Sequence, residues 1–326
     1  LCAQLRKEMQ LFSLSKESQR NKFISKIINF HHISTSGLFF IPDKNNSKFL
    51  ELKEEDQGGF IVYEKDIAVC TVNLGPKPRK GKLKDIKPFK KPRFGITFLG
   101  VGSGFSQSKQ NSSTIIWSEN KGILIDVVAD HAFITKKYGI NNDDIKYIFL
   151  THVHSDHDSG ILEKILKSQQ TNLITSRVIY ESFLRKAVAT TSLSKKTIES
   201  YISFKEVEPN KKIKLPGFTR TFFEFDYSLH SIPSGRCKIT YIDGSLKKSI
   251  SLSGDTKYDV QKINAWHENG DLTTARKNSL TGFIWDSDLI VHDIGGGNLH
   301  TKHDALLSLP NKIKKKVILV HQNEKS

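Results

Sequence analysis

The sequence predicts a layered domain of the α/β or α+β class, with buried sheets, over its last 230 or so residues, and a smaller α+β unit before it. Three observations carry this. From about Phe94, strand-like runs alternate with helix-like ones, the pattern of sheets covered by helices. A basic, Pro-rich stretch, "KPRKGKLKDIKPFKKPR" (Lys77 to Arg93), interrupts the chain just before that alternation begins. The length of 326 residues, with 37% hydrophobic residues and 20 Phe, suffices for one large core and something smaller.

In chain order, Leu1, Leu5, Met9 and Phe12, then Phe23, Ile24, Ile27 and Ile28, fall at helical spacing and predict two short helices. From Gly37 to Leu74 the pattern turns to strands and ends in a hairpin, "GGFIVYEKDIAVCTVNLG". We therefore divide the chain into an α+β extension (1–76), a linker (77–93) and a main domain (94–326). The linker holds nine Lys/Arg against one Asp, which reads as a solvated connector, with a nucleic-acid-contacting arm as the other option. In the main domain, "GITFLG", "STIIWS", "GILIDVV" and "IKYIFLT" read as strands. A helix is expected near His131 to Tyr138, and another in "SGILEKILKSQQ", where Ile161, Leu162, Ile165 and Leu166 make one stripe.

Composition excludes several classes. No run approaches the ~18 to 20 apolar residues of a membrane helix, so no membrane association is expected. Cys2, Cys70 and Cys237 are few, odd in number and without a CxxC pair, which excludes a disulfide scaffold and points to a reducing, cytoplasmic setting. A start at "LCAQLRKEMQ", without Met or a signal pattern, and an end five residues after His321 read as a piece of a longer chain. Net charge of +16 favours an anionic partner, a small nucleotide or RNA.

Chemistry concentrates in "THVHSDHDSG" (Thr151 to Gly160), directly after the apolar run "IKYIFLT" and before a helix, where layered sheets collect ligands. His152 and His154 are two apart and project to one side of an extended segment, while Asp156 and His157 continue around the turn. Imidazole and carboxylate suit zinc, with manganese or iron as alternatives. Four such groups in so short a loop exceed what one open site uses, so two metals are expected. Three further ligand types follow apolar runs: His230 after "TFFEFDYSL", Asp255 in "SISLSGDT" and His321 after "KKVILV".

These residues resemble the metallo-β-lactamase-fold hydrolases. "HVHSDH" matches that superfamily's HxHxDH signature, and "FLGVGSGF", "NSS", "GILID", "SGDT", "LIVHD" and "ILVH" follow in its order from about Phe94. An Asp in "SGDT" and a His at the second signature position make the chain most similar to the phosphodiesterase branch, which includes tRNase Z and cyclic-nucleotide phosphodiesterases. The resemblance implies an α+β, four-layer αββα sandwich. It implies one metal on His152, His154 and His230, a second on Asp156, His157 and His321, and Asp255 bridging them. It implies a metal-bridging hydroxide attacking a phosphodiester, with Asp156 orienting it and His300, steadied by Asp293, protonating the leaving oxygen. Members of this fold often dimerise, and the sequence shows no interface for a homodimer.

Departures and weaker signals narrow the substrate. Gly160 to His230 spans about seventy residues of plausible helix and strand, with no Gly/Pro-rich basic arm of the kind that grips tRNA. A cyclic nucleotide or other small phosphodiester is favoured over RNA 3′ processing. "DVV" after Asp126 replaces the common Asp-Cys-Gly, and Asp126 is expected to support the metal loop by hydrogen bonds. "GVGSG" is followed by a strand instead of a helix, so it reads as a turn beside the metal site rather than a dinucleotide fingerprint. His292 is a candidate to orient a ligand, and His303 would share a helix face with His300. Rival readings are hydrolysis of a thioester, lactone or sulfate ester, and an inactive nucleotide- or RNA-binding member of the fold.

Overall fold

"STIIWS" is buried at all six positions, the Ser113 and Ser118 hydroxyls finding partners in Asp126 O and Thr221 Oγ1, and it becomes an inner strand of a sheet. The computed structural model describes residues 4–5, 7–8, 39–42, 49–54, 59–73, 86–106, 109–167, 169–191 and 193–322. They belong to two units, Leu1–Ser15 together with Lys87–Ser326, and Lys16–Ile86.

The smaller unit is an antiparallel meander of β1 (Phe39–Pro42), β2 (Phe49–Glu54), β3 (Gly59–Glu64) and β4 (Ile67–Asn73). The expected hairpin is β3 and β4. Its turn residues, Lys65 and Asp66, both take positive φ (50° and 64°), the geometry that matches strand twist in a two-residue turn. Of the first predicted helix, Gln4, Leu5, Lys7 and Glu8 are helical; the second, near Phe23 to Ile28, lies outside the described residues, as do positions 77–85 of the basic stretch. Its residues from Lys87 to Arg93 belong to the larger unit. Phe89 stacks on Trp117 at 5.1 Å, and Lys91 pairs with Asp144 at 2.8 Å.

The larger unit contains two six-stranded sheets. The first runs in the order β10-β9-β8-β7-β6-β5, with β5 (Phe94–Gly100), β6 (Ser113–Ser118), β7 (Lys121–Ile125), β8 (Ile145–Phe149), β9 (Thr171–Thr175) and β10 (Ile202–Glu206). β5 to β7 are antiparallel and β7 to β10 parallel. The second runs β11-β12-β13-β14-β15-β16, with β11 (Lys212–Lys214), β12 (Thr221–Tyr227), β13 (Gly235–Asp243), β14 (Leu246–Leu252), β15 (Leu289–Asp293) and β16 (Val317–Val320). Parallel neighbours need crossovers, and helices supply them. α1 (His131–Lys137), α2 (Ser155–Leu166), α3 (Arg177–Thr191) and α4 (Lys195–Ser200) serve the first sheet. α5 (Val260–Glu268), α6 (Thr274–Gly282), α7 (His303–Leu307) and α8 (Asn311–Lys314) serve the second.

The sheets meet through aromatic rings, Phe149 of β8 lying edge-on to Phe223 and Phe225 of β12 at 5.2 and 6.1 Å. Ile161 and Ile165 of α2 and Phe183 and Leu184 of α3 join the same buried cluster, while Ile263, Leu280, Trp285 and Ile290 form a second one beneath α5 and α6. The result is the αββα order of the metallo-β-lactamase sandwich. Leu166 departs from its expected stripe and is 61% exposed, because α2 ends there. Among the described residues no helix is long and apolar enough to cross a membrane.

A carboxylate joins the two sheets at one end. Glu119, in the β6–β7 turn, accepts from Thr219 N (2.9 Å), Thr219 Oγ1 (2.7 Å), Arg220 N (2.9 Å) and Thr221 Oγ1 (2.6 Å). Burial works against its charge, but these hydrogen bonds prevail and pull its pKa down to about 2. A carboxyl depressed on folding stabilises above its unfolded pKa and loses that contribution as pH falls towards the folded value. Glu119→Ala should lower Tm at pH 5, and the gap to the parent should narrow steadily towards pH 3; thermal unfolding at both pH values checks it.

Candidate metal centre

β8 delivers the His/Asp loop into a fixed frame. Thr151 donates its N–H to Asp126 Oδ1 and its hydroxyl to Asp126 Oδ2, both at 2.8 Å, and its carbonyl accepts from Gly235 N at 2.7 Å. Asp126 therefore plays the supporting part expected of it, with a left-handed backbone (φ 57°). His154 is extended (φ −70°, ψ 149°) and caps α2, so Asp156 and His157 fall in the helix's first turn. His152 and His154 consequently reach the same space, and Asp156 and His157 approach it from the next turn.

The remaining predicted ligands arrive from the second sheet, His230 after β12, Asp255 after β14 and His321 after β16. Donor atoms of His152, His154, His230 and Asp255 lie within 4.8 Å of one another, and so do those of Asp156, His157 and His321. Asp255 Oδ2 stands between the sets, 3.6 Å from His152 Nε2, 3.4 Å from His157 Nε2 and 3.3 Å from His321 Nε2. All seven predicted ligand residues are thus brought together, in two groups that meet on one carboxylate oxygen.

Hydrogen bonds fix which nitrogens carry protons. The Thr151 hydroxyl donates to Asp126, so it accepts from His152 Nδ1 (2.9 Å); His230 Nδ1 donates to Leu299 O (3.4 Å). That turns the bare Nε2 atoms of both rings towards His154 Nδ1, at 2.9 and 3.3 Å. Three imidazole nitrogens converge with at most one proton between them, a donor set made for a cation. His157 Nδ1 donates to Asp126 Oδ2 at 2.7 Å, and its buried Nε2 makes no hydrogen bond.

Electrostatics separate the two groups. Burial pushes His154 down to about 4 and His230 to about 3, and holds His152 well below the usual imidazole range, so all three are neutral at pH 7. His157 is pushed the other way. Burial disfavours its charge, yet the Asp255 and Asp126 carboxylates raise its pKa well above normal. Asp255 is reciprocally depressed, with His157 and His321 overcoming its burial. The carboxylates of the second group thus favour positive charge on its imidazoles, charge that a divalent cation would supply instead, and the donors fit one.

His300 borders the centre, its ring stacked on His321 at a centroid distance of 4.6 Å. Its Nδ1 donates to Asp293 Oδ2 (2.9 Å), and Asp293 also accepts from Thr256 N (2.9 Å) and Gly295 N (2.7 Å). A Cβ on Gly295 would lie 2.8 Å from His321 Nδ1 and 2.9 Å from the His300 ring, so the first glycine of "GGG" is a packing requirement. His303 opens α7 whereas His300 lies in the loop before it, so the two do not share a helix face as their spacing implied. His292 is fully buried, stacked on Trp285 at 5.2 Å, and contacts the backbone oxygen of Asp293 rather than a predicted ligand.

Residues 94–326 match a family model described as Anti-Pycsar protein Apyc1. The chain belongs to that Apyc1 family. It is 38% identical over 240 residues to "cAMP/cGMP-dependent 3′,5′-cAMP/cGMP phosphodiesterase B" of Dictyostelium discoideum, covering 73% of this chain and 21% of the relative. It is 32% identical over 244 residues to "cGMP-dependent 3′,5′-cGMP phosphodiesterase A" of the same organism, covering 74% and 27%. The chain therefore spans only about a fifth to a quarter of the length of these relatives. Among solved structures, human tRNase Z, short form, aligns over 71% of this chain and 93% of its own at 16% identity and a TM-score of 0.49.

Two supports of this Apyc1-family centre escape sequence reading. Lys186 of α3 donates to Val153 O (2.9 Å), Ser155 Oγ (3.1 Å) and both oxygens of fully buried Asp158 (2.7 and 2.9 Å), tying down the ligand loop. Burial drives the Asp158 carboxyl up to about 6 against the pull of that ammonium. The only signal was the second Asp of "DHD", whose burial demands a cation from elsewhere in the chain. On the other side, buried Glu8 pairs with Arg276 (2.8 and 3.0 Å), which donates to Tyr227 O (2.7 Å) and Ser228 O (3.1 Å), just before His230.

Lys186→Met should weaken divalent-metal binding about 10- to 100-fold, as losses of outer supports of metal ligands do; competition with a chromogenic chelator reads it. Glu8→Gln should cost about 3 kcal/mol in urea unfolding, the low end for breaking a buried pair, because Asp226 remains 3.6 Å from Arg276.

Proposed function

We propose that this chain hydrolyses the phosphodiester of a 3′,5′-cyclic nucleotide using two divalent metal ions. The observation that carries the reading is the convergence of two His/Asp donor sets on Asp255 Oδ2. His152, His154 and His230 would hold one ion, Asp156, His157 and His321 the other, with Asp255 shared. Zinc suits these ligands best, with manganese or iron able to replace it. Such a pair would supply an activated water and positive charge for the phosphoryl oxygens.

The chain's own groups handle the protons. Asp156 is the candidate to orient the attacking water and accept from it. His300, held through Nδ1 by Asp293, keeps its other ring nitrogen for delivering a proton to the leaving ribose oxygen. Water is consumed and one P–O bond breaks, giving a nucleoside monophosphate. The cyclic substrate is supported by the names of the two Dictyostelium relatives and by the interval from Gly160 to His230, where the described residues form helices and strands rather than a protruding arm. A cytoplasmic setting accords with the sparse cysteines. RNA is the second reading, favoured by the +16 net charge; its mark would be turnover falling steeply with salt.

The test combines elemental analysis with hydrolysis of 3′,5′-cAMP and cGMP. Near two metals per chain are expected, with activity lost on chelation and restored by zinc or manganese. Asp255→Ala should lower kcat/KM by about 10³-fold or more, and His300→Ala by about 10²-fold, the usual weight of a general acid. Full activity in metal-free Asp255→Ala would refute the reading.

A further inference from the structure

The loop between β5 and β6 is anchored beside the metal centre. Gly102 N donates to Gln110 O (2.8 Å), Ser112 N and Oγ both donate to Gly102 O (2.9 and 3.0 Å), and Ser103 N donates to Gln322 O (3.1 Å). Gln322 directly follows His321, so the loop is pinned to the segment that carries a predicted ligand. Its tip reaches another. A Cβ on Gly104 would lie 2.6 Å from Asp156 Oδ2, which means that the backbone there rests against the carboxylate itself.

The next residue, Phe105, is 94% exposed, more than any other large hydrophobic side chain among the described residues. Isolated apolar residues on a surface need no explanation, but this one has an unusual address. A phenyl ring is held in water, one residue from a carboxylate of the centre, on backbone tied at both arms of its loop. Lys109, on the returning arm, places its Nζ 3.3 Å from Gln322 Oε1, beside the His321 segment, where an anionic phosphate would be met. The loop therefore offers an aromatic face and an ammonium at the edge of one site.

We propose that Phe105 is the platform on which the base of the cyclic nucleotide stacks while its phosphate lies at the His/Asp centre. The inference rests on the phosphodiesterase reading above and adds the determinant of substrate class. Stacking reads the presence and size of a π-face and not its hydrogen-bonding edge. Adenine and guanine should therefore be accepted alike, since every base offers a π-face. Phe105 is a binding residue, and its contribution is made equally in ground and transition states, so it acts on KM more than on kcat.

Steady-state kinetics of the full chain on cAMP, cGMP and base-free ribose 3′,5′-cyclic phosphate, with sedimentation velocity of each variant, test this. Phe105→Ala should raise KM for cAMP and cGMP about 10- to 100-fold, the usual range for losing one aromatic partner of a base. The base-free ester should show no such rise. Phe105→Tyr should restore the parent KM, and Phe105→Leu, apolar but without a π-face, should not. An unchanged KM in Phe105→Ala, or the same rise for the base-free ester, overturns the proposal while leaving the phosphodiesterase reading intact. A dimer that dissociates in Phe105→Ala also overturns it, making the ring a contact between copies. A parent that hydrolyses none of the three sinks the underlying reading and the platform together.

Discussion

One carboxylate oxygen, Asp255 Oδ2, is the point on which the larger unit's two halves depend. It comes from the end of β14 in the second sheet, yet its nearest neighbours include His152 and His157, delivered by β8 of the first. Fully buried, with imidazoles on several sides, it keeps its charge only because that charge is shared. The sandwich can close in this register because the polar ends of both sheets face each other with complementary groups. The apolar contact of Phe149 on β8 with Phe223 and Phe225 on β12 sets the distance at which they do so.

A buried polar cluster of this size is destabilising unless every member is oriented, and the surrounding residues provide the orientation. Asp126 accepts from Thr151 and His157, Leu299 O accepts from His230, and Asp293 accepts from His300, so the His157, His230 and His300 rings each have one nitrogen committed outwards and one left free of that bond. Asp126 and His321 both sit in left-handed backbone, at 57° and 59°. Non-glycine residues hold that conformation where surrounding structure compels it, and here both positions serve the same centre.

Much of this was legible because it is local. A stretch such as "STIIWS", apolar but for small hydroxyl residues, favours a buried strand, and a His-x-His pair after "IKYIFLT" projects both rings to one side. The late ligands His230, Asp255 and His321 were also legible, since each follows an apolar run, and strand ends in layered sheets converge. What the sequence did not disclose depends on distant partners. Lys186 lies 28 residues from Asp158, and Glu8 lies 268 from Arg276, and neither pair leaves a periodicity behind. The exposure of Leu166 and the loop position of His300 turned on where helices end, which capping geometry decides and apolar spacing does not.

The link from Glu8 to His230 gives the residues before the main domain a physical hold on the site. Arg276 is nearly buried, and its guanidinium divides its bonds between Glu8 and the backbone oxygens of Tyr227 and Ser228. A displacement of the Glu8 segment would leave that cation to Asp226, which Arg236 also engages at short range, and to carbonyls that have no charge to offer. The resulting cost is relieved most directly by letting the Tyr227–Ser228 backbone move, and His230 is two residues further on. Lys186 exerts the same kind of hold from the opposite side, on Val153 O between His152 and His154. The two rings whose Nε2 atoms face His154 are therefore each tethered to a buried or half-buried cation outside the centre, so the spacing of the imidazole nitrogens is set by ion pairs in the surrounding structure as much as by the ligands themselves.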